Sequence, residues 1–90
     1  MLFQIGTLVA TNEVSVACQD SSFANGVRNA FSRHAKGDWG NLCNEDKELN
    51  NQALEDGTRL LSSYEVNGQK IWIITEADRS VTTVLFPHEY

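Results

Sequence analysis

The stretch TRLLSSYEVNGQKIWIITEADRSVTTVLFPHEY, residues 58–90, decides the fold. Asn67-Gly68 lies between two runs rich in apolar and β-branched residues. That dipeptide suits a type I′ turn, which needs positive φ at both central positions. With Asn67-Gly68 as a two-residue loop, Val66 faces Gln69, Glu65 faces Lys70 and Arg59 faces Glu76. One assumption therefore yields two opposite-charge cross-strand pairs. A loop at Ala77-Asp78-Arg79-Ser80 extends the ladder to a third strand. One face then carries Leu60, Ser62, Tyr64, Ile71, Ile73, Thr75, Val84 and Phe86. The other carries Leu61, Trp72, Ile74, Val81 and Leu85 among polar residues. The first face is the expected core. The second is too apolar for the wet side of an antiparallel sheet, which points to a dimer, a partner or cover by a helix.

Upstream, Leu2 to Ala10 alternates as a first strand, and Thr11 to Ala17 reads as a loop or a short further strand. Asp20-Ser21-Ser22 offers N-cap chemistry. Phe23, Val27, Ala30, Phe31 and His34 then share one face of a helix that Gly37 ends. Asn44 can cap a second helix, whose first turns hold Glu45, Asp46 and Glu48 against the macrodipole. Leu49, Ala53 and Leu54 give that helix a narrow apolar stripe, and Gly57 stops it. The expectation is one α+β domain over 1–90, β-α-α-β-β-β, with a C-terminal three-stranded antiparallel sheet packed on the helices. Its expected core is Phe23, Val27, Phe31, Leu60, Ile71, Ile73, Val84 and Phe86.

Composition narrows the function classes. Ninety residues suffice for one core. No apolar run approaches the roughly 18 residues of a membrane span, and Met1-Leu2-Phe3-Gln4-Ile5-Gly6 has no basic export region, so a cytoplasmic location is expected. A net charge of −5 disfavours direct binding to nucleic acid and suits a basic protein partner, itself a nucleic-acid binder. Glu45, Asp46, Glu48, Glu55 and Asp56 crowd one segment, either as a solvated helix face or as a mimic of a polyanion. Cys18 and Cys43 lack metal-type spacing and are expected as reduced thiols; no local ligand pair nucleates a zinc site with His34 or His88. No cofactor fingerprint or nucleophile elbow is present, and no cofactor is expected.

Two strings can carry function. In His34-Ala35-Lys36-Gly37-Asp38-Trp39-Gly40, a loop presenting Asp38 and Trp39 can grip a partner. Alternatively, Trp39 plugs the core and Asp38 caps backbone N–H groups. His34 is a satisfied core histidine or, with Arg59 or Arg79, the general acid or base of a metal-independent ribonuclease. Around the second turn, Arg79 with Thr75, Thr82 and a histidine offers groups for a phosphate.

The strings HAKGDWG (34–40), GTRLLSSY (57–64) and WIITEADRSVTTVLFPHEY (72–90) resemble a family of small proteins from plasmids, integrative elements and prophages, commonly labelled plasmid-related. The resemblance implies a mobile-element accessory protein and carries no residue roles with it. Architecturally, helices followed by an antiparallel sheet are similar to the barnase, colicin and RelE-type toxin nucleases, a likeness of fold alone. The expected function is non-enzymatic: protein binding, with inhibition of a host defence nuclease complex as the action. Its expected contact residues are Asp38, Trp39, Leu61, Trp72, Ile74, Val81 and Leu85. The alternatives are the ribonuclease built on His34, Arg59 and Arg79, and a structural homodimer.

Overall fold

The computed structural model describes residues 2–90. Asn67 and Gly68, with φ of 50° and 78°, close a hairpin between β2 (Leu60–Val66) and β3 (Gln69–Thr75). Its register is the expected one, Val66 opposite Gln69 and Glu65 opposite Lys70. β4 (Val81–Leu85) pairs antiparallel with β3, placing Thr75 against Thr82 and Trp72 against Leu85. A fourth strand, β1 (Thr7–Ala10), runs parallel to β4, so the sheet order is β1-β4-β3-β2. Three helices complete an α+β fold: α1 (Asn12–Ala17), α2 (Ser21–Ala35) and α3 (Asn44–Asp56). A single 3₁₀ turn follows at Pro87–Glu89. No helix among the described residues is long and apolar enough to cross a membrane.

The core forms where the α2 stripe meets the expected sheet face. Phe23 and Ala30 are buried with Tyr64, Val66, Ile71, Ile73, Val84 and Phe86, and Val27 and Phe31 pack at the margin. Leu60 falls instead in a smaller cluster with Trp39 and Ala53, flanked by Phe3, Leu42 and Leu54. The first cluster joins α2 to the centre of the sheet, and the second joins α3 to its β2 end.

Several expectations are corrected. Thr11–Ala17 contains a helix, with the Thr11 hydroxyl accepting the Val14 N–H as its cap. Two residues turn a helix by about 200°, so buried Val14 and exposed Val16 alternate much as they would in a strand. Over so short a run the two periods are indistinguishable. The first strand is shorter than Leu2–Ala10 because the chain bends at Gly6, where φ is +64°. Phe3 leaves the sheet and stacks on Trp39 with ring centroids 6.3 Å apart. The α3 cap is Cys43 rather than Asn44. Arg59 does not pair with Glu76: the β2–β3 ladder ends at Leu60–Thr75, and the guanidinium donates to the Tyr90 hydroxyl while lying over its ring.

Candidate functional site

Asp38 in the His34–Gly40 string forms a fork with Arg33, Nε to Oδ2 at 2.7 Å and Nη2 to Oδ1 at 3.2 Å. That pairing holds its carboxyl below the usual carboxylate range. Asp38 Oδ1 also accepts the Gly40 N–H, and its carbonyl accepts the Tyr64 hydroxyl at 2.6 Å. The Arg33 guanidinium lies 5.0 Å above the Tyr64 ring. Burial pushes the Tyr64 phenol up to about 12, so this donor keeps its proton across the physiological range.

Trp39 is only 3% exposed and donates from Nε1 to Asn51 on α3 at 3.0 Å. As a partner-gripping residue it is therefore withdrawn: it fills the second cluster. The loop also extends the sheet. Ser63 N–H donates to the Trp39 carbonyl, and Asn41 N–H donates to the Ser63 carbonyl at 2.7 Å. A Cβ on Gly40 would lie 1.9 Å from the Ser63 carbonyl oxygen, so only glycine allows this approach. Farther along the same edge, Asn50 donates from its amide to the Leu61 carbonyl and accepts the Leu61 N–H. Loop and helix together occupy the outer edge of β2 at Leu61 and Ser63.

His34 is fully buried, and both ring nitrogens are engaged. Nδ1 lies 2.5 Å from Ser62 Oγ, and Nε2 lies 2.9 Å from Thr75 Oγ1. Thr75 Oγ1 meets Thr82 Oγ1 at 2.8 Å, and Thr82 donates to the Ile5 carbonyl. That carbonyl sets the direction of the chain. Thr82 has one hydroxyl proton, which the carbonyl takes, so Thr75 must donate to Thr82. His34 Nε2–H must then donate to Thr75, leaving Nδ1 bare to accept from Ser62. The imidazole is thus neutral, and burial holds its pKa down to about 4. Ser62, Thr75 and Thr82 are all buried as well. A serine beside a histidine is a nucleophile's arrangement, but this one has no access to a substrate.

The three residues of the ribonuclease reading are not brought to one open site. Arg59 is held at Tyr90. Arg79 donates to the carbonyls of Thr58, Glu76 and Ala53, closing the end of α3 and the second turn, and lies 5.9 Å from the Phe3 ring. Phe3 also packs edge-on against His34. Among the described residues, no group of three or more His, Cys, Asp or Glu side chains comes close enough to hold a metal ion. Cys18 and Cys43 are free thiols.

On the second sheet face, Ile74 and Leu85 are buried, whereas Leu61, Trp72 and Val81 are partly open. Tyr90 folds back edge-on to Trp72, with centroids 5.6 Å apart. Between α3 and β2 a groove of about 280 Å³ is lined by Leu42, Asp46, Leu49, Asn50, Arg59 and Leu61. Leu49 is largely exposed, as are Glu45, Asp46, Glu48, Glu55 and Asp56 on the same helix. Another depression, of about 390 Å³, lies between α1 and the 3₁₀ turn, with Val16 and Phe86 among its lining and the His88–Glu13 pair at its rim.

Sequence reasoning missed Asn50, Asn51, Leu42 and the hydroxyl chain. The signal for the chain was present: Ser62 and Thr75 fell on the core face and His34 on the apolar stripe, and buried polar groups need partners. No local pattern marked Asn50 as a strand cap. Comparison of the chain with protein-family models, curated proteins and solved structures finds no match.

Proposed function

We propose that this chain is a non-enzymatic accessory protein of a mobile genetic element, acting in the cytoplasm by binding a basic, nucleic-acid-handling protein. Inhibition of a defence nuclease complex is the action that fits such a partner. The observation that carries this reading is the groove between α3 and β2. Leu42, Leu49 and Leu61 give it apolar walls, Asp46 stands in its lining, and further carboxylates are exposed along α3. An amphipathic basic segment suits that arrangement: apolar contact supplies affinity, and the carboxylates steer the encounter. The mobile-element part rests on the sequence resemblance. The ribonuclease alternative has less support, since His34 is enclosed and both arginines are committed elsewhere.

Capture of a partner from host lysate by the tagged parent, compared with Leu49→Lys and Asp46→Lys, tests the proposal. Both side chains are exposed, so the fold is expected to survive both changes. A stoichiometric basic partner retained by the parent and lost by both variants supports the reading. A partner held equally by both variants removes the groove from it. RNA cleavage by the purified parent, abolished in His34→Ala, would instead restore the ribonuclease.

A further inference from the structure

The two edges of the sheet are treated differently by this chain. The β2 edge is occupied at Ser63 by the Trp39–Asn41 backbone and at Leu61 by the Asn50 amide. Among the described residues nothing pairs with the outer edge of β1, and all four of its residues are exposed. Thr7 N–H donates to the Ser80 carbonyl and Thr11 N–H to the Val84 carbonyl. In a parallel ladder alternate residues bond the neighbouring strand, so Thr7, Val9 and Thr11 face β4. The N–H and C=O groups of Leu8 and Ala10 therefore point away from the sheet. An exposed apolar edge of this kind is a template for strand addition.

We propose that β1 pairs antiparallel with β1 of a second copy of this chain, making one continuous eight-stranded sheet across a two-fold axis. This proposal is independent of the groove reading. Charge favours a second copy as the occupant. The chain carries −5, yet residues 2–12 contain no ionisable side chain, so two copies meet at this seam without opposed like charges. Register favours it too. With Val9 of each copy on the axis, Leu8 of one copy faces Ala10 of the other. Each such pair exchanges two main-chain hydrogen bonds, using the outward groups and setting a large side chain beside a small one. The loop and helix on the β2 edge then end the assembly at two copies, because they stand where a further strand would have to pair.

Sedimentation of the parent over a concentration series is expected to reach the mass of two chains. Amide exchange at Leu8 and Ala10 is expected to slow as the dimer fills. Val9→Lys sets like charges against each other on the axis and is expected to weaken association roughly tenfold or more. Val9→Cys, in a Cys18→Ser, Cys43→Ser background, is expected to cross-link two chains under mild oxidation. Across an antiparallel non-hydrogen-bonded pair, the Cα atoms are about 4.5 Å apart, within the range of a disulfide. A parent that stays monomeric to millimolar concentration overturns the proposal. So does a dimer in which the Leu8 and Ala10 amides exchange as fast as in the monomer, or one that survives Val9→Lys unchanged.

Discussion

The two faces of the sheet show how the same alternation of side chains serves closure on one side and leaves room on the other. On the α2 side Leu60, Tyr64, Ile71, Ile73 and Val84 are shut from water, and so are the polar Ser62, Thr75 and Thr82. Those hydroxyls are tolerated only because His34 and the Ile5 carbonyl complete an unbroken chain of donors and acceptors. On the other side Tyr90 packs edge-on against Trp72 without enclosing it, and Arg59 lies over the Tyr90 ring. Ile74 and Leu85 are nevertheless buried there, so a charge at Leu85 would disturb the fold itself and could not serve as a clean probe of binding. The domain thus closes the centre of one face and leaves Leu61, Trp72 and Val81 partly open on the other.

The sharpest way to break this contrast is to cut into the closed face. Ile73→Ala removes a fully buried side chain and is expected to cost about 2–5 kcal/mol. Urea unfolding measures it, and a variant as stable as the parent would show that α2 does not seal this side.

Acidification tests the same closure through His34. Its pKa is about 4 in the folded chain against about 6.5 unfolded. Above pH 6.5 both states are neutral at this residue, and its contribution is complete. Between 6.5 and 4 the unfolded state binds the proton and the folded state does not, so stability falls as pH falls. The expected loss is on the order of 3 kcal/mol between pH 7 and 4. Unfolding free energies over that range should lose most of this slope in His34→Gln. An unchanged slope would assign it to other groups.

A smaller effect is expected from Ser62→Ala. It leaves His34 Nδ1 without its donor at a buried position, at a cost of about 1–3 kcal/mol. Because Ser62 hydrogen-bonds the neutral ring, the variant should also weaken the pH dependence only slightly, and paired denaturation curves at pH 7 and 5 read both quantities.

The smallest effect belongs to the open face. Tyr90→Ala removes a largely exposed ring and is expected to cost less than about 1 kcal/mol. It should also redden the emission of Trp72, which loses its aromatic neighbour to water. A cost matching that of Ile73→Ala would make the two faces equivalent and erase the distinction.

What could be read from sequence was whatever the chemistry of neighbouring residues fixes. Asn67-Gly68 set the turn, the turn set the register, and the register assigned Ile71, Ile73, Val84 and Phe86 to one face. Asp20 and Gly57 likewise marked one end each of α2 and α3, because caps act over a few residues. The candidate groove was only partly legible: Leu61 and the acids of α3 were, but Leu42 and Asn50 were not.

Tertiary structure decided everything that depends on elements distant in the chain. It placed β1 beside β4, turned Thr11–Ala17 into a helix, and withdrew Trp39 into a cluster with α3. It carried Arg59 away from Glu76 to Tyr90, thirty-one positions along the chain. A cross-strand pair near a turn is held by the turn, whereas the partner of a long side chain at the end of a ladder is whichever group the fold delivers there. That is why the sequence by itself determined the hairpin and its faces, and only the folded chain determined which edge the loop and helix occupy and which was left open.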